Sequence, residues 1–148
     1  MMKVWVFIDS EGKLCCALFP QAVPQGVEPT EFEVESPDDL VLDNGEIRLK
    51  TAEEKLSEAK ANLLAELKTL TASLLAPTDY VIIKIAEAAG LGQDTTELKQ
   101  YYADKLSQRQ QIRQFNYETE DAISEATSFE ELEQIRESML QFANTIRS

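Results

Sequence analysis

An α+β fold is predicted by three observations. Runs of β-branched and aromatic residues are confined to the first fifty positions. Asn44-Gly45, the strongest short hairpin signal in the chain, lies between two of those runs. From Thr51 onward the apolar residues change to a spacing of three and four, the period of a helix face. The expected arrangement is a small antiparallel β-rich head over residues 1–50. A helical domain over 51–148 follows, a helical hairpin or bundle with coiled-coil-like segments.

Val4-Trp5-Val6-Phe7-Ile8 reads as the first strand, Ser10-Glu11-Gly12 as a turn, and Leu14 to Phe19 as the returning strand. Val4, Val6 and Ile8 fall on one face, Trp5 and Phe7 on the other. A lone hairpin cannot bury both, so other elements or a second subunit must cover them. Pro20 to Pro29 is a loop. Phe32 and Val34 alternate with Glu31, Glu33 and Glu35, as in a half-exposed strand. Ser36-Pro37-Asp38-Asp39 is a turn. Leu40-Val41-Leu42 and Glu46 to Leu49 pair across Asp43-Asn44-Gly45, which brings the strands to about five, antiparallel because every connection is short.

Thr51 and Glu54 form a capping box that opens a helix running to Ala76, where Pro77 stops it. Leu56, Ala59, Leu63, Leu67, Leu70 and Leu74 make its apolar face. Thr78-Asp79 can cap a short helix over Tyr80–Ala89, ended by Gly90 and Gly92. Asp94 and Glu97 start a third helix that reaches Glu125, roughly 45 Å at 1.5 Å per residue. Ser128 and Glu131 form another capping box. The last helix carries Leu132, Ile135, Met139, Phe142 and Ile146 in heptad-like steps. Two packings satisfy that pattern: an antiparallel bundle within the chain, or association of these positions with copies of themselves. The second makes the five residues, with Trp5 and Phe7, a candidate partner or self-association surface and the protein a homo-oligomer.

Charge excludes several functions. The net charge is −13, from 27 acidic and 14 basic residues, and both halves share the excess. Such a surface repels phosphate backbones and anionic membranes, so nucleic-acid and membrane binding are not expected. The apolar start ends at Asp9 without a cleavage signal, and no run approaches the ~20 apolar residues of a membrane helix. A cytoplasmic location, or a particle assembled there, is expected.

Histidine is absent, which removes the commonest metal ligand and general base. The adjacent Cys15 and Cys16 would be strained as a disulfide and read as small hydrophobes in a buried strand rather than as a redox pair. Glu53-Glu54, Asp38-Asp39 and Glu130-Glu131 sit where acids complement helix starts. Gly90-Leu91-Gly92 lacks the lysine and preceding strand of a phosphate loop. No enzymatic activity, metal or cofactor is expected. One polar group stands out. Arg109 and Arg113, four apart on one helical face, interrupt the stripe Leu98, Tyr102, Leu106. Asp79 is the nearest counter-ion, so either a partly buried Asp79–arginine pair fixes the packing or the stretch is solvated.

The segments Leu74-Leu75-Ala76-Pro77-Thr78-Asp79-Tyr80 and Tyr102 through Arg113, followed by Asp121 to Leu132, resemble a pattern of small bacteriophage tail proteins. In that pattern a leucine–alanine–(any)–threonine–aspartate–aromatic segment ends one helix, and a later helix carries two arginines after an aromatic residue. It is similar to that of tail-fibre assembly proteins and of tail or baseplate proteins encoded beside the fibre gene. The resemblance covers about residues 70–132. Tyr80 stands where tryptophan is usual, and Val81-Ile82-Ile83-Lys84 is more apolar than a solvent-facing linker requires. It implies a non-catalytic protein, free of cofactors, that binds a protein partner such as a tail-fibre or baseplate protein, as assembly chaperone or adaptor, and that is found in the host cytoplasm or in the virion tail. A structural fibre or baseplate subunit and a non-phage cytoplasmic adaptor are the alternatives.

Overall fold

The computed structural model describes all residues, Met1–Ser148, and is α+β as expected, with an antiparallel β part followed by helices. It divides into two compact units, Met1–Lys55 and Leu56–Ser148.

The first unit holds five antiparallel strands, β1 (Met2–Ile8), β2 (Leu14–Ala17), β3 (Thr30–Val34), β4 (Leu40–Asp43) and β5 (Glu46–Leu49). One sheet has the order β2-β1-β3, and β4-β5 is a separate hairpin. Its turn has φ of 50° at Asn44 and 82° at Gly45, the left-handed pair that a two-residue hairpin needs. The register places Val4 opposite Phe32 and Val6 opposite Cys16 and Thr30. Val4, Val6, Val34 and Leu40 form the core of this unit, with Leu14, Phe32 and Ile47 packed against it. The β4-β5 hairpin therefore supplies the cover for one face of the central strand. The opposite face carries Trp5 and Phe7, both half-buried.

Two expectations fail here. The second strand stops at Ala17, and Leu18 and Phe19 are exposed. Cys15 is half-buried and Cys16 exposed, so the pair is not in a buried strand, because β2 is a short edge with a neighbour on one side only.

The first compact unit extends to Lys55, and within it the first helical turn is tied to the hairpin. Arg48 donates from Nη1 to Glu54 Oε1 (2.7 Å) and from Nε to Asp43 Oδ2 (3.1 Å), and Lys55 Nζ lies 3.5 Å from Asp39 Oδ1. The capping box forms as read: the Glu54 N–H donates to Thr51 Oγ1 and the Thr51 N–H to Glu54 Oε1, both at 3.1 Å.

Helix α1 (Ala52–Leu75) passes through a 3₁₀ turn, Ala76–Thr78, into α2 (Asp79–Gly90). The expected third helix is divided at Tyr102 into α3 (Thr96–Tyr101) and α4 (Ala103–Glu125). Helix α5 (Phe129–Arg147) closes the chain. At its start the Glu131 N–H donates to Ser128 Oγ, but the Glu131 carboxylate accepts from the N–H and hydroxyl of Thr127, one residue before the expected partner. No helix is long and apolar enough to cross a membrane.

α1, α4 and α5 pack as three helices. Leu63 and Leu67 of α1 meet Ile123 of α4, Ala126, and Leu132 and Met139 of α5. Farther along α1, Leu74 meets Ile112 and Ala143. Numbers rise along α1 and α5 together and fall along α4, so α4 runs antiparallel to the other two. Phe115 and Phe142 stack with centroids 3.9 Å apart. Arg136 donates to both carboxylate oxygens of Glu66 at 3.2 Å, and the Thr71 hydroxyl donates to Asn116 Oδ1 at 2.9 Å, linking helices at the rim.

Two tests follow from this packing. Leu67→Ala, at a position 1% exposed, should cost about 2–5 kcal/mol in urea unfolding, while Leu64→Ala on the outer side should change stability by about 0.5 kcal/mol or less. The second concerns acid. The Arg48 guanidinium, with the Thr51 N–H, holds the Glu54 carboxyl at about 2, below its ordinary 4.5. A folded-state value below the unfolded one contributes stability that is present above the ordinary range and lost as pH falls through the folded value. Thermal melts should show wild type above Glu54→Gln at neutral pH, with the gap closing between pH 4.5 and about 2. A gap unchanged down to pH 2 would contradict the assignment.

Candidate functional site

The best-defined polar site lies where the 3₁₀ turn between α1 and α2 meets α4. Pro77 has no N–H to give back to the helix, and the chain tightens around it. The Asp79 N–H turns to the Ala76 carbonyl, an i−3 bond. In a continuous α-helix it would have gone to Leu75. The Leu75 carbonyl therefore needs other donors, since an unpaired buried carbonyl is costly. Two side chains provide them. The Thr78 hydroxyl donates to it at 3.1 Å, and Arg109 Nη1 donates at 2.9 Å.

Arg109 Nη1 also donates to Thr78 Oγ1 and to Asp79 Oδ1, each at 2.9 Å. Nη1 carries two hydrogens and faces three acceptors, so one hydrogen is shared. The Arg109 side chain is 9% exposed and that of Asp79 57% exposed. The cation is thus buried against two neutral oxygens, and its carboxylate partner reaches it from the solvent side.

Asp79 and Arg109, proposed from sequence as a packing pair, are brought together. Arg113 is not: it is exposed, one helical turn farther along α4. Burial separates the two arginines because Arg109 lies over the break in the first helix. Thr78 is also corrected. It does not cap α2, because its hydroxyl is used by Leu75 and Arg109. The signal for its role was its place directly after Pro77, at the break where the backbone bond shortens from i−4 to i−3 and frees the Leu75 carbonyl.

Beside this site the Tyr80 and Tyr102 rings meet edge to face at 5.9 Å, and Tyr101 meets Tyr102 at 4.7 Å. Lys84 Nζ is 3.4 Å from the Tyr102 hydroxyl and lies over both the Tyr80 and Tyr102 rings at about 6 Å.

The candidate surface splits as well. Leu132, Ile135, Met139, Phe142 and Ile146 are directed into the chain's own two helical clusters. Their heptad-like spacing serves packing within the helical unit. Trp5 and Phe7 share a face of β1, opposite Ala17 and Cys15 respectively. Burial, with the Asp9 carboxylate second, pushes the Cys15 thiol up, which disfavours the reactive thiolate. No group of three or more His, Cys, Asp or Glu side chains converges where it could hold a metal ion.

Compared with known proteins, the chain matches no family model, no curated protein and no solved structure.

The site predicts unequal effects. Arg109→Met should lower the unfolding free energy by about 2–4 kcal/mol, since it strips donors from a buried cluster. Asp79→Asn should cost about 1 kcal/mol or less, because that carboxylate is largely solvated. Urea unfolding of both and of the double variant gives the coupling directly. A double variant that simply adds the two losses would show that the residues do not act together.

Proposed function

We propose that this chain is a non-catalytic bacteriophage tail-associated protein that acts by binding another protein, in the assembly or attachment of a tail fibre. The observation that carries the reading is the convergence at Arg109. Two of the three segments on which the resemblance rests, Leu74 to Tyr80 and Tyr102 to Arg113, meet there through hydrogen bonds from one guanidinium. A pattern built of common residues gains weight when its arginine, threonine and aspartate are in contact across some thirty residues of chain.

Packing favours an assembly factor over a fibre subunit. The heptad-like positions that would have joined copies of the chain along a shaft are spent on the internal three-helix core. The β-rich unit keeps the half-buried Trp5 and Phe7 on one sheet face, and aromatic residues are effective anchors for a protein partner.

Co-expression with the tail-fibre gene nearest to the coding sequence tests the reading. The fibre protein should be recovered soluble and trimeric in the presence of this chain and aggregated in its absence. A genome without a fibre gene nearby, or a fibre yield that ignores this chain, would count against it.

A further inference from the structure

The sheet of the first unit has two open edges, and they differ. Its order is β2-β1-β3, so β3 has a neighbour on one side only. One hydrogen bond and the register fix which backbone groups of β3 are left over. The Asp9 N–H donates to the Lys13 carbonyl at 2.9 Å, which makes Asp9 and Lys13 a hydrogen-bonded pair. Such pairs alternate along antiparallel strands. On β1, Trp5 and Phe7 therefore turn their backbone groups to β2, and Val4 and Val6 turn theirs to β3. Val4 stands opposite Phe32 and Val6 opposite Thr30. The N–H and C=O groups of Glu31 and Glu33 are then the ones that point away from the sheet. No backbone hydrogen bond from elsewhere in the chain reaches residues 30–35.

Both outward-facing residues are glutamates, and Glu35 follows at the next alternate position; all three are exposed. Glu31 and Glu33 stand opposite Trp5 and Lys3, so their side chains share one face. A single base serves them, Lys3, whose Nζ lies 3.4 Å from Glu31. The other edge has the contrary character: no charged residue occurs from Leu14 to Val27. Charge on an edge strand keeps like strands from adding to it. On β3 that charge has one sign. A second copy's β3 would set glutamate against glutamate, which repels, and a second copy's β2 would bring no base to meet them. A strand with bases at alternate positions matches every one.

We propose that β3 takes up an extended segment of a protein partner as a fourth strand, with lysine or arginine at the alternate positions that face Glu31 and Glu33. Main-chain hydrogen bonds to these two residues hold the segment. The added strand lies about 4.8 Å from β3, so each basic side chain reaches the glutamate directly opposite. The main chain supplies the attachment, and the charges set the sign and the register of what is attached. The open edge is a property of the sheet and stands apart from the tail-fibre reading.

The probe is a short capped peptide alternating valine and lysine, with a valine–glutamate peptide as control. Titrated into the isotope-labelled full chain, the lysine peptide should shift the Glu31 and Glu33 amide resonances and saturate, and the glutamate peptide should not. A basic peptide also gathers loosely on any acidic surface, so two variants separate strand addition from charge. Glu33→Gln loses the charge and keeps the N–H. Glu33→Pro loses both, at an outward position where an edge strand tolerates proline, and its thermal melt should stay close to wild type. Glu33→Pro should weaken binding about fivefold more than Glu33→Gln, the worth of one main-chain hydrogen bond. The pair Glu31→Lys and Glu33→Lys, which keeps every N–H, should transfer the preference to the glutamate peptide. Absence of saturable binding, shifts centred away from β3, equal losses in the two Glu33 variants with both folded, or a charge-reversed edge that still prefers lysine would overturn the proposal. So would a dimer of the peptide-free chain that Glu33→Pro disperses, since a second copy would then hold the edge.

Discussion

Pro77 imposes the constraint on which the helical unit depends. A helix that must continue through a proline loses a donor and leaves carbonyls without their usual partners. The chain tightens into a 3₁₀ turn, which satisfies Ala76 and leaves Leu75 to be served from outside. Arg109, some thirty residues later, does so from α4. One guanidinium thereby fastens the end of α1 and the start of α2 to the middle of α4. The hydrophobic clusters determine that three helices pack; the hydrogen bonds at this junction are directional and fix where α4 crosses the break.

The rest of the helical unit is consistent with that anchor. Leu63 and Leu67 lie on the far side of it, with Ile123, Leu132 and Met139, and Leu74 lies beside it with Ile112 and Ala143. The apolar seam gives affinity without register, since leucines a turn apart exchange partners at modest cost. Cross-helix polar contacts add register at the rim, from Arg136 to Glu66 and from Thr71 to Asn116. Exposed pairs of this kind contribute little energy each, and their value lies in geometry.

The β-rich unit solves a different problem. Its central strand is apolar on both faces, and the β4-β5 hairpin covers one of them. The hairpin is in turn held to the first helical turn by Arg48, which pairs with Asp43 and Glu54 together. The first helical turn is thereby part of the same compact unit as the strands.

The sequence by itself determined the element types and most of their limits, because those follow from local chemistry. Asn44-Gly45 can only turn, Thr51 and Glu54 satisfy each other within four residues, and the three-and-four spacing of leucines is a property of one helix. It also marked Asp79 as the nearest counter-ion to Arg109 and Arg113, leaving open whether a pair forms or the stretch is solvated. It did not decide which arginine, nor the part played by Thr78, nor the break at Tyr102, because these depend on where α4 lies over the turn. Heptad spacing was equally silent on whether Leu132 through Ile146 would meet the same chain or another: the hydrophobic effect is non-directional, and an apolar stripe carries no label for its cover. Only the tertiary structure, which packs that stripe within the helical unit, supplied its cover.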